Sequence, residues 1–382
     1  MNGVLGGKLR LLIAVVLLLF NWLPATAAEI SHMTDAELAQ RVKLPPGFEI
    51  KIFARGLMAP RFMTVGPDKL IYVSMPSMGW VGRLRDDDGD GKVERIDRVI
   101  QDLYRPHGLA FHEGKLYVAG TQKVWRVDHF RGDGSPGQTT TIVPNISEGG
   151  HWTRTILFGP DGKLYVSIGS SCNVCKEKDP RRAAIVRYNP DGSGEEVFAT
   201  GLRNSVGIAW NPVTKELWGT DNGRDWLGDD SPPDEINIIR QGKNYGWPNC
   251  IADRVPDPDF GTPEICQKTE PPAVKIQAHS APLGLAFYTG KQFPQEYQGD
   301  LFVALHGSWN RSKKTGYKVI RIKLDKGQPK QVEDFATGWL MQEKGADVVW
   351  GRPVDLLVGP DGSLYLSDDS AGFIYKFSYK GK

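Results

Sequence analysis

Six segments of this 382-residue chain set an arginine or histidine just ahead of a short apolar run: APR with Arg61, RPHG with His107, GGHWTR with His151, LRNS with Arg203, HSAP with His279 and GRPV with Arg352. A further phrase, HGSWNR, adds His306, Trp309 and Arg311, so that four of the seven histidines lie in these segments. A guanidinium binds carboxylates through a bidentate fork. A neutral imidazole takes up protons near its ordinary pKa. One such residue in a loop ordinarily bonds a backbone carbonyl. Six at equivalent places, gathered round one mouth, concentrate positive potential and point to an anionic ligand with proton transfer beside it.

A second constellation is DDDGDGKVERID. Asp86, Asp88 and Asp90 occupy the first, third and fifth places of a calcium-loop spacing, Gly91 the sixth and Asp97 the twelfth. An acidic turn between two strands has the same composition, so the segment reads either as a structural calcium site or as that turn.

The elements that must position these residues show in a repeat. GPDGKLYVS (Gly159–Ser167) returns as GPDGSLYLS (Gly359–Ser367) and, altered, as GPDKLIYVS (Gly66–Ser74). They belong to a longer series of strand-like runs: LIYV, KLYV, KLYV, ELWG, DLFV and SLYL. Each is followed by a second strand (VGRLRD, VWRVDH, IVRYNP, INIIRQ, VIRIKL, IYKFSY), and most are preceded by an apolar run. Phrases such as VFATGL and DFATGW stand between units. A four-stranded all-β unit recurring six times predicts a six-bladed β-propeller spanning residues 44–382. The last unit lacks an outer strand, and PPGFEIKIFARGL (Pro45–Leu57) is expected to supply it and close the ring. The interval 225–277, rich in Pro, Asp and Gly, reads as a loop insertion. In such a ring all the Arg and His loops named above open on one rim.

Bulk properties narrow the class. Formal net charge is +2, with no basic block to suit nucleic acid or an anionic membrane. Residues 1–28 read as a signal peptide: Lys8 and Arg10, then the apolar run Leu11–Phe20, then small residues to Ala28. Residues 29–43 follow as an N-terminal extension. The run is short for a membrane span, so an exported protein without stable membrane insertion is expected, periplasmic or secreted. Four cysteines permit three pairings. The expected one joins Cys172 to Cys175 and Cys250 to Cys266, as structural disulfides of an oxidising compartment.

GGHWTRTILFGPDGKLYVSIG, GLRNSVGIAW, DEINIIRQGKNYGWP, HGSWNR and GRPVDLLVGPDG together resemble the soluble quinoprotein glucose/sorbosone dehydrogenase family over about Leu44 to Tyr379. The resemblance implies a propeller that holds pyrroloquinoline quinone (PQQ), a tricarboxylate, over a calcium ion. It implies oxidation of a sugar, sugar aldehyde or related alcohol by hydride transfer to PQQ. His151 matches the general base. Arg203 matches the residue facing the quinone oxygens, with Asn204 beside it. Gly223 and Arg224 match positions whose backbone carbonyls hold calcium, and Arg352 a carboxylate-binding arginine. By loop position, Arg311 with Lys314 is expected at another cofactor carboxylate, and His107 and Trp152 on the substrate side. Electrons would pass to a periplasmic cytochrome or quinone.

The chain departs from the glucose-oxidising members at two places. Gly150 stands where they have an Asp directly before the base, and Ser170 where they have another. Both changes argue against glucose. CNVC occupies the region of the second and is expected to face the cofactor rim. The alternatives are a calcium-dependent lactonase, which needs carboxylates converging on the axis, and a non-catalytic ligand-binding propeller.

Overall fold

The structure is a computed structural model that describes residues 30, 32–128 and 136–381. The expected signal peptide, 1–28, lies outside the described residues. Among the described residues no helix is long and apolar enough to cross a membrane.

Six four-stranded antiparallel sheets form the body. From inner to outer strand, blade 1 runs Met63–Val65, Ile71–Met75, Trp80–Arg85, Arg95–Ile100, and blade 2 runs Gly108–His112, Lys115–Ala119, Val124–Val127, Thr139–Val143. Blade 3 is Arg154–Phe158, Leu164–Ile168, Ala184–Tyr188, Glu196–Thr200. Blade 4 is Ile208–Trp210, Leu217–Asp221, Asp234–Ile239, Val274–Ile276. Blade 5 is Pro282–Phe287, Leu301–Leu305, Lys318–Asp325, Gln328–Ala336. Blade 6 takes Pro353–Val358, Leu364–Asp368 and Phe373–Tyr379 from the C-terminus and Phe48–Ala54 from the N-terminus. Inner strands touch in ring order, and the sixth touches the first. The N-terminal strand pairs from Phe48 opposite Tyr379 to Ala54 opposite Ile374, which leaves no open edge at the seam.

The repeated phrase has a local cause. In GPDGKLYVS, Asp161 accepts the Lys163 N–H at 3.2 Å and the Tyr165 hydroxyl at 2.9 Å. Asp361 does the same for Ser363 and Tyr365, and Asp68 for Leu70 and Tyr72. A third-strand cation meets each aspartate: Arg187, Lys376 and Arg83. The fourth place of the turn is left-handed, with φ of 74° at Gly162 and 81° at Gly362. The altered copy puts Lys69 there at 63°, where a side chain is disfavoured.

Near the axis the blades approach closely. A Cβ at Gly108, which opens the second inner strand, would lie 2.5 Å from the Arg154 carbonyl oxygen of the next blade. Buried side chains stitch neighbouring blades: Thr220 donates to the Leu283 carbonyl at 2.9 Å, and Asp355 accepts the Met63 N–H at 2.8 Å across the seam.

Two expected regions resolve into finer parts. Within 29–43, Asp35–Arg41 is a helix with a Thr34/Glu37 capping box, and Asp35 accepts the Ile52 N–H at 2.9 Å. The interval 225–277 is insertion only in part, since it contains the third and fourth strands of blade 4. The stretch between them carries a two-stranded ribbon, the short helix Pro263–Cys266 and the Cys250–Cys266 disulfide.

Candidate active site

The loops that open each inner strand and those joining second to third strands share one rim, because strands alternate in direction. There the sequence GGH breaks off ahead of the third inner strand and places His151. The His151 N–H donates to the Ser170 carbonyl at 3.0 Å. Its imidazole Nδ1 lies 3.1 Å from that carbonyl and 2.9 Å from Ser170 Oγ. Ser170 Oγ in turn donates to the Cys172 carbonyl at 2.6 Å. Nδ1 therefore carries the proton, and Nε2 keeps its lone pair. Burial, with the Arg203, Arg182 and Arg154 charges adding, lowers the pKa of His151 from 6.5 to about 3. Neutral imidazole is thus the resting form. Gly150 has φ of 56°, and a Cβ there would fall 2.4 Å from the Ser171 carbonyl carbon. The turn itself excludes the aspartate that the glucose-oxidising members carry.

Arg203 and Asn204 form the next loop. Their backbone N–H groups donate to the two oxygens of buried Asp221, at 2.9 and 2.5 Å. Burial, with Glu235 nearby, pushes the Asp221 carboxyl well above its ordinary range. The Arg203 guanidinium donates to the Asn173 carbonyl at 2.9 Å, the Asn222 carbonyl at 3.0 Å, the Asn173 side-chain oxygen at 2.8 Å and Asp225 at 3.1 Å. Four of its five N–H groups are thereby used, leaving one on Nη1. Asn173 lies between the two cysteines of the Cys172–Cys175 disulfide, and its side-chain oxygen also accepts the Asp225 N–H at 2.7 Å. One asparagine thus fixes both Arg203 and the loop after Gly223. Sequence reasoning marked CNVC as a rim loop and passed over Asn173 and Asp221; the polar residue inside the CNVC loop was the available signal for the first.

His151, Arg203, Asn204, Asn222, Gly223, Asp225, Asp234, His279, Trp309 and Asn310 line one cavity of ≈ 180 Å³. The Gly223 N–H is held by Asp234 at 2.9 Å. The Arg224 side chain turns away to Asp257 and Asp259, at 2.7 and 2.9 Å, so only its backbone belongs to this turn. The insertion braces the site from behind: Asp257 belongs to it, and Trp247 donates to the Asn173 carbonyl at 3.2 Å. His279 is used in holding a loop, with Nε2 2.9 Å from the Gly228 carbonyl.

Other expected site residues lie elsewhere. Arg311 bonds the Lys313 carbonyl at 3.0 Å, the Asp229 carbonyl and the Asp230 carboxylate, tying two loops instead of lining the cavity. Lys314 is exposed and outside that lining. Arg352 donates to the carbonyls of His306 and Gly307, at 3.1 and 2.9 Å. In these cases the backbone carbonyl has captured the cation. His107 is wholly buried between Phe62 and Trp152 and offers no surface to a substrate; desolvation and Arg61 keep it neutral. Trp152 lines a separate cleft with Arg61 and Arg105.

At the opposite end of blade 1, the carboxylates of Asp86, Asp88, Asp90 and Glu94 lie within 4.8 Å of one another. Asp97, expected as the closing ligand, instead pairs with Arg83 at 2.8 Å and Arg95 at 3.0 Å, because it sits in the outer strand opposite Arg83 and two residues from Arg95. Glu94 takes its place in the cluster. Both expected disulfides are present.

A closed six-bladed propeller with a neutral histidine and an arginine over one axial cavity has the architecture of a quinoprotein dehydrogenase. Residues 42–380 match the TrAA12-like family. The chain belongs to this family of PQQ-dependent sugar dehydrogenases and is an oxidoreductase. It is 25% identical over 395 residues to a pyrroloquinoline quinone-dependent sugar dehydrogenase of Hypocrea jecorina, covering 86% of this chain and 87% of that one. It is 30% identical over 258 residues to the aldose sugar dehydrogenase YliI of Escherichia coli, covering 62% of each. A calcium structure of the Trichoderma reesei AA12 enzyme superposes with a TM-score of 0.78 at 24% identity, over 89% of this chain and 97% of that one.

Proposed function

We propose that this chain is an exported, calcium-requiring PQQ dehydrogenase that oxidises a sugar, sugar aldehyde or related alcohol, with His151 as general base. The carrying observation is the tautomer: Ser170 holds the proton on Nδ1, and the opposite nitrogen keeps its lone pair in a residue that lines the cavity with Arg203 and Asn204.

The donor set fits the cofactor and the ion. Arg203 retains one Nη1 N–H beyond its four protein bonds for an anionic oxygen. Gly223 and Arg224 form a turn whose side chains are absent or turned away, which favours carbonyl ligation of a hard cation. Buried Asp221 and Asp234 stand behind it, and burial raises the Asp234 carboxyl to about 7, so a cation there would relieve an existing cost.

When bound, PQQ supplies a two-electron hydride acceptor and calcium a Lewis acid. With the cofactor in place, His151 Nε2 would take the proton of the substrate hydroxyl. Arg203, locked by Asn173 and Asp225, presents its positive charge without reorganising, which is where electrostatic catalysis gains most. Asn204 is placed by Asp221 to hydrogen-bond the bound group. Two disulfides support an oxidising compartment, and electrons would leave to a periplasmic cytochrome or quinone. The Asp86, Asp88, Asp90 and Glu94 loop would hold a second, structural calcium distant from this chemistry.

The test is reconstitution. Purified protein with PQQ and calcium is expected to reduce a dye with aldoses or sugar aldehydes, and the His151→Ala protein to bind PQQ without turnover. Absence of PQQ binding would sink this reading in favour of a lactonase or binding propeller.

A further inference from the structure

A larger cleft, of ≈ 530 Å³, opens on the same rim between blades 1, 2 and 6, lined by Arg61, Met78, Tyr104, Arg105, Trp152 and Asp369 among others. That volume is within the roughly 300–1,000 Å³ of small-ligand sites. Trp152, its inner wall, directly follows His151 in the chain, and its carbonyl is fixed by the Thr121 hydroxyl at 3.1 Å.

Two guanidiniums lie against the Trp152 ring, Arg105 at 4.1 Å from its centre and Arg61 at 5.6 Å. They differ in one respect. Arg61 is neutralised by Asp369 at 2.7 Å, which His306 also contacts at 2.9 Å. Arg105 has no carboxylate partner among the described residues and lies against the tryptophan ring. The cleft therefore carries two cations against one anion. The Arg105 backbone is left-handed, with φ of 49°, directly ahead of Pro106, a conformation that a proline's neighbour rarely adopts and that structures keep where it aims a side chain. Beside it, Met78 and Tyr104 are 42% and 51% exposed, an apolar flank open to solvent at the mouth of a charged cleft.

A partnered cation, an unpartnered cation and an apolar flank together recognise a small amphipathic monoanion. We infer that the cleft is a subsite for the carboxylate of a sugar acid: the C–H face of the ring lies on Met78 and Tyr104, and Arg105 takes the carboxylate through its fork. The inference rests on the sugar-dehydrogenase reading and names the class of sugar. Trp152 joins the subsite to the base, and Asp369 keeps Arg61 from competing for the anion.

The experiment compares glucuronic acid with glucose, and galacturonic acid with galactose, on the PQQ- and calcium-loaded protein. The wild type is expected to favour each acid by tenfold or more in kcat/KM, chiefly through KM, with the preference shrinking as salt rises. Arg105→Gln is expected to cut the acid-to-neutral ratio at least tenfold, and Arg105→Lys to restore part of it. Saturation-transfer NMR of glucuronic acid on the protein without PQQ reads the same contact independently of turnover. An unaltered ratio in Arg105→Gln, or a loss of PQQ affinity in place of acid selectivity, overturns the subsite. If no sugar is oxidised the dehydrogenase reading fails, yet the NMR signal and its loss in Arg105→Gln still decide whether the cleft binds the acid.

Discussion

At the end of the propeller where first strands turn into second, three blades carry one device in one role: an aspartate closes the turn and grips a tyrosine four residues on. At the other end six equivalent loops carry an arginine or histidine, and their roles diverge. His151, Arg203 and His279 line a cavity, where His279 also holds a loop, Arg352 ties down the His306–Gly307 loop, Arg61 neutralises Asp369 and His107 is core. The first end repeats because every blade must solve the same folding problem. The second end has one axis and one site, so equivalent positions cannot all reach it. Repetition reports on architecture, and function lies where the equivalence breaks.

Breaking one residue at each end should separate the two. Loss of a general base typically costs 10²–10⁴ in rate, so His151→Ala is expected to lower kcat by about that factor with a melting temperature near wild type. Asp161→Ala should do the reverse, keeping kcat and losing roughly 1.5–3 kcal/mol for the charge-assisted bonds to Tyr165 and Arg187. Stopped-flow kinetics and calorimetry on both proteins check it. A stability loss in the first, or a rate loss in the second, would erase the distinction.

A smaller effect is expected at the joint between Arg203 and the Gly223 loop. Asn173→Ala removes the acceptor shared by the Arg203 guanidinium and the Asp225 N–H. With Arg203 held by one bond fewer and the Asp225 loop released, PQQ affinity and kcat/KM should each fall about tenfold, the lower end of the scale for losing a group that positions another. An absorbance titration with PQQ reads the first without turnover. Unaltered affinity would mean that the carbonyls of Asn173 and Asn222 and the Asp225 carboxylate, which the variant keeps, suffice to hold the arginine.

Most of the architecture was legible in the sequence because a blade is a local, periodic object. Turn, apolar run and strand recur together, and even the seam was marked by the kinship of PPGFEIKIFARGL with VFATGL. The site was legible only in part. His151 and Arg203, which line the cavity, stood out because their loops match a family pattern. The carbonyl bonds of Arg311 and Arg352 could not be read in advance, since an arginine's direction depends on which carbonyl lies in reach, and those of Asp229, His306 and Gly307 belong to distant segments. Asp97 misled for a related reason: strand pairing placed Arg83 opposite it, and register outranks loop spacing.

The pH dependence sharpens the contrast within the rim. His151 is lowered from 6.5 to about 3, mainly by burial. Between those values the unfolded chain binds a proton at this residue that the folded chain does not. Its contribution to stability is therefore complete above pH 6.5 and shrinks as pH falls. His151 itself stays unprotonated, so in folded, calcium-saturated protein, where a cation at the Gly223 turn would keep Asp234 ionised, kcat/KM should change less than about twofold between pH 7 and 5. A rate that halves near pH 6.5 would mean that the imidazole titrates as though in water, and that the buried pose is not the working one.

The smallest effect tests the acidic loop at the structural end. If Asp86, Asp88, Asp90 and Glu94 hold calcium, millimolar calcium should raise the melting temperature by a few degrees, the order expected for 1 kcal/mol or so in a domain this large. Asp88→Ala should abolish that rise, while Asp97→Ala keeps it and lowers the melting temperature with or without calcium, through the lost Arg83 pair. An ion at the Gly223 turn would contribute to the same curve, so the comparison is made between these two variants at equal calcium. A calcium response that survives Asp88→Ala would place all the binding at the Gly223 turn, and would return the loop to the ordinary acidic turn that its composition equally describes.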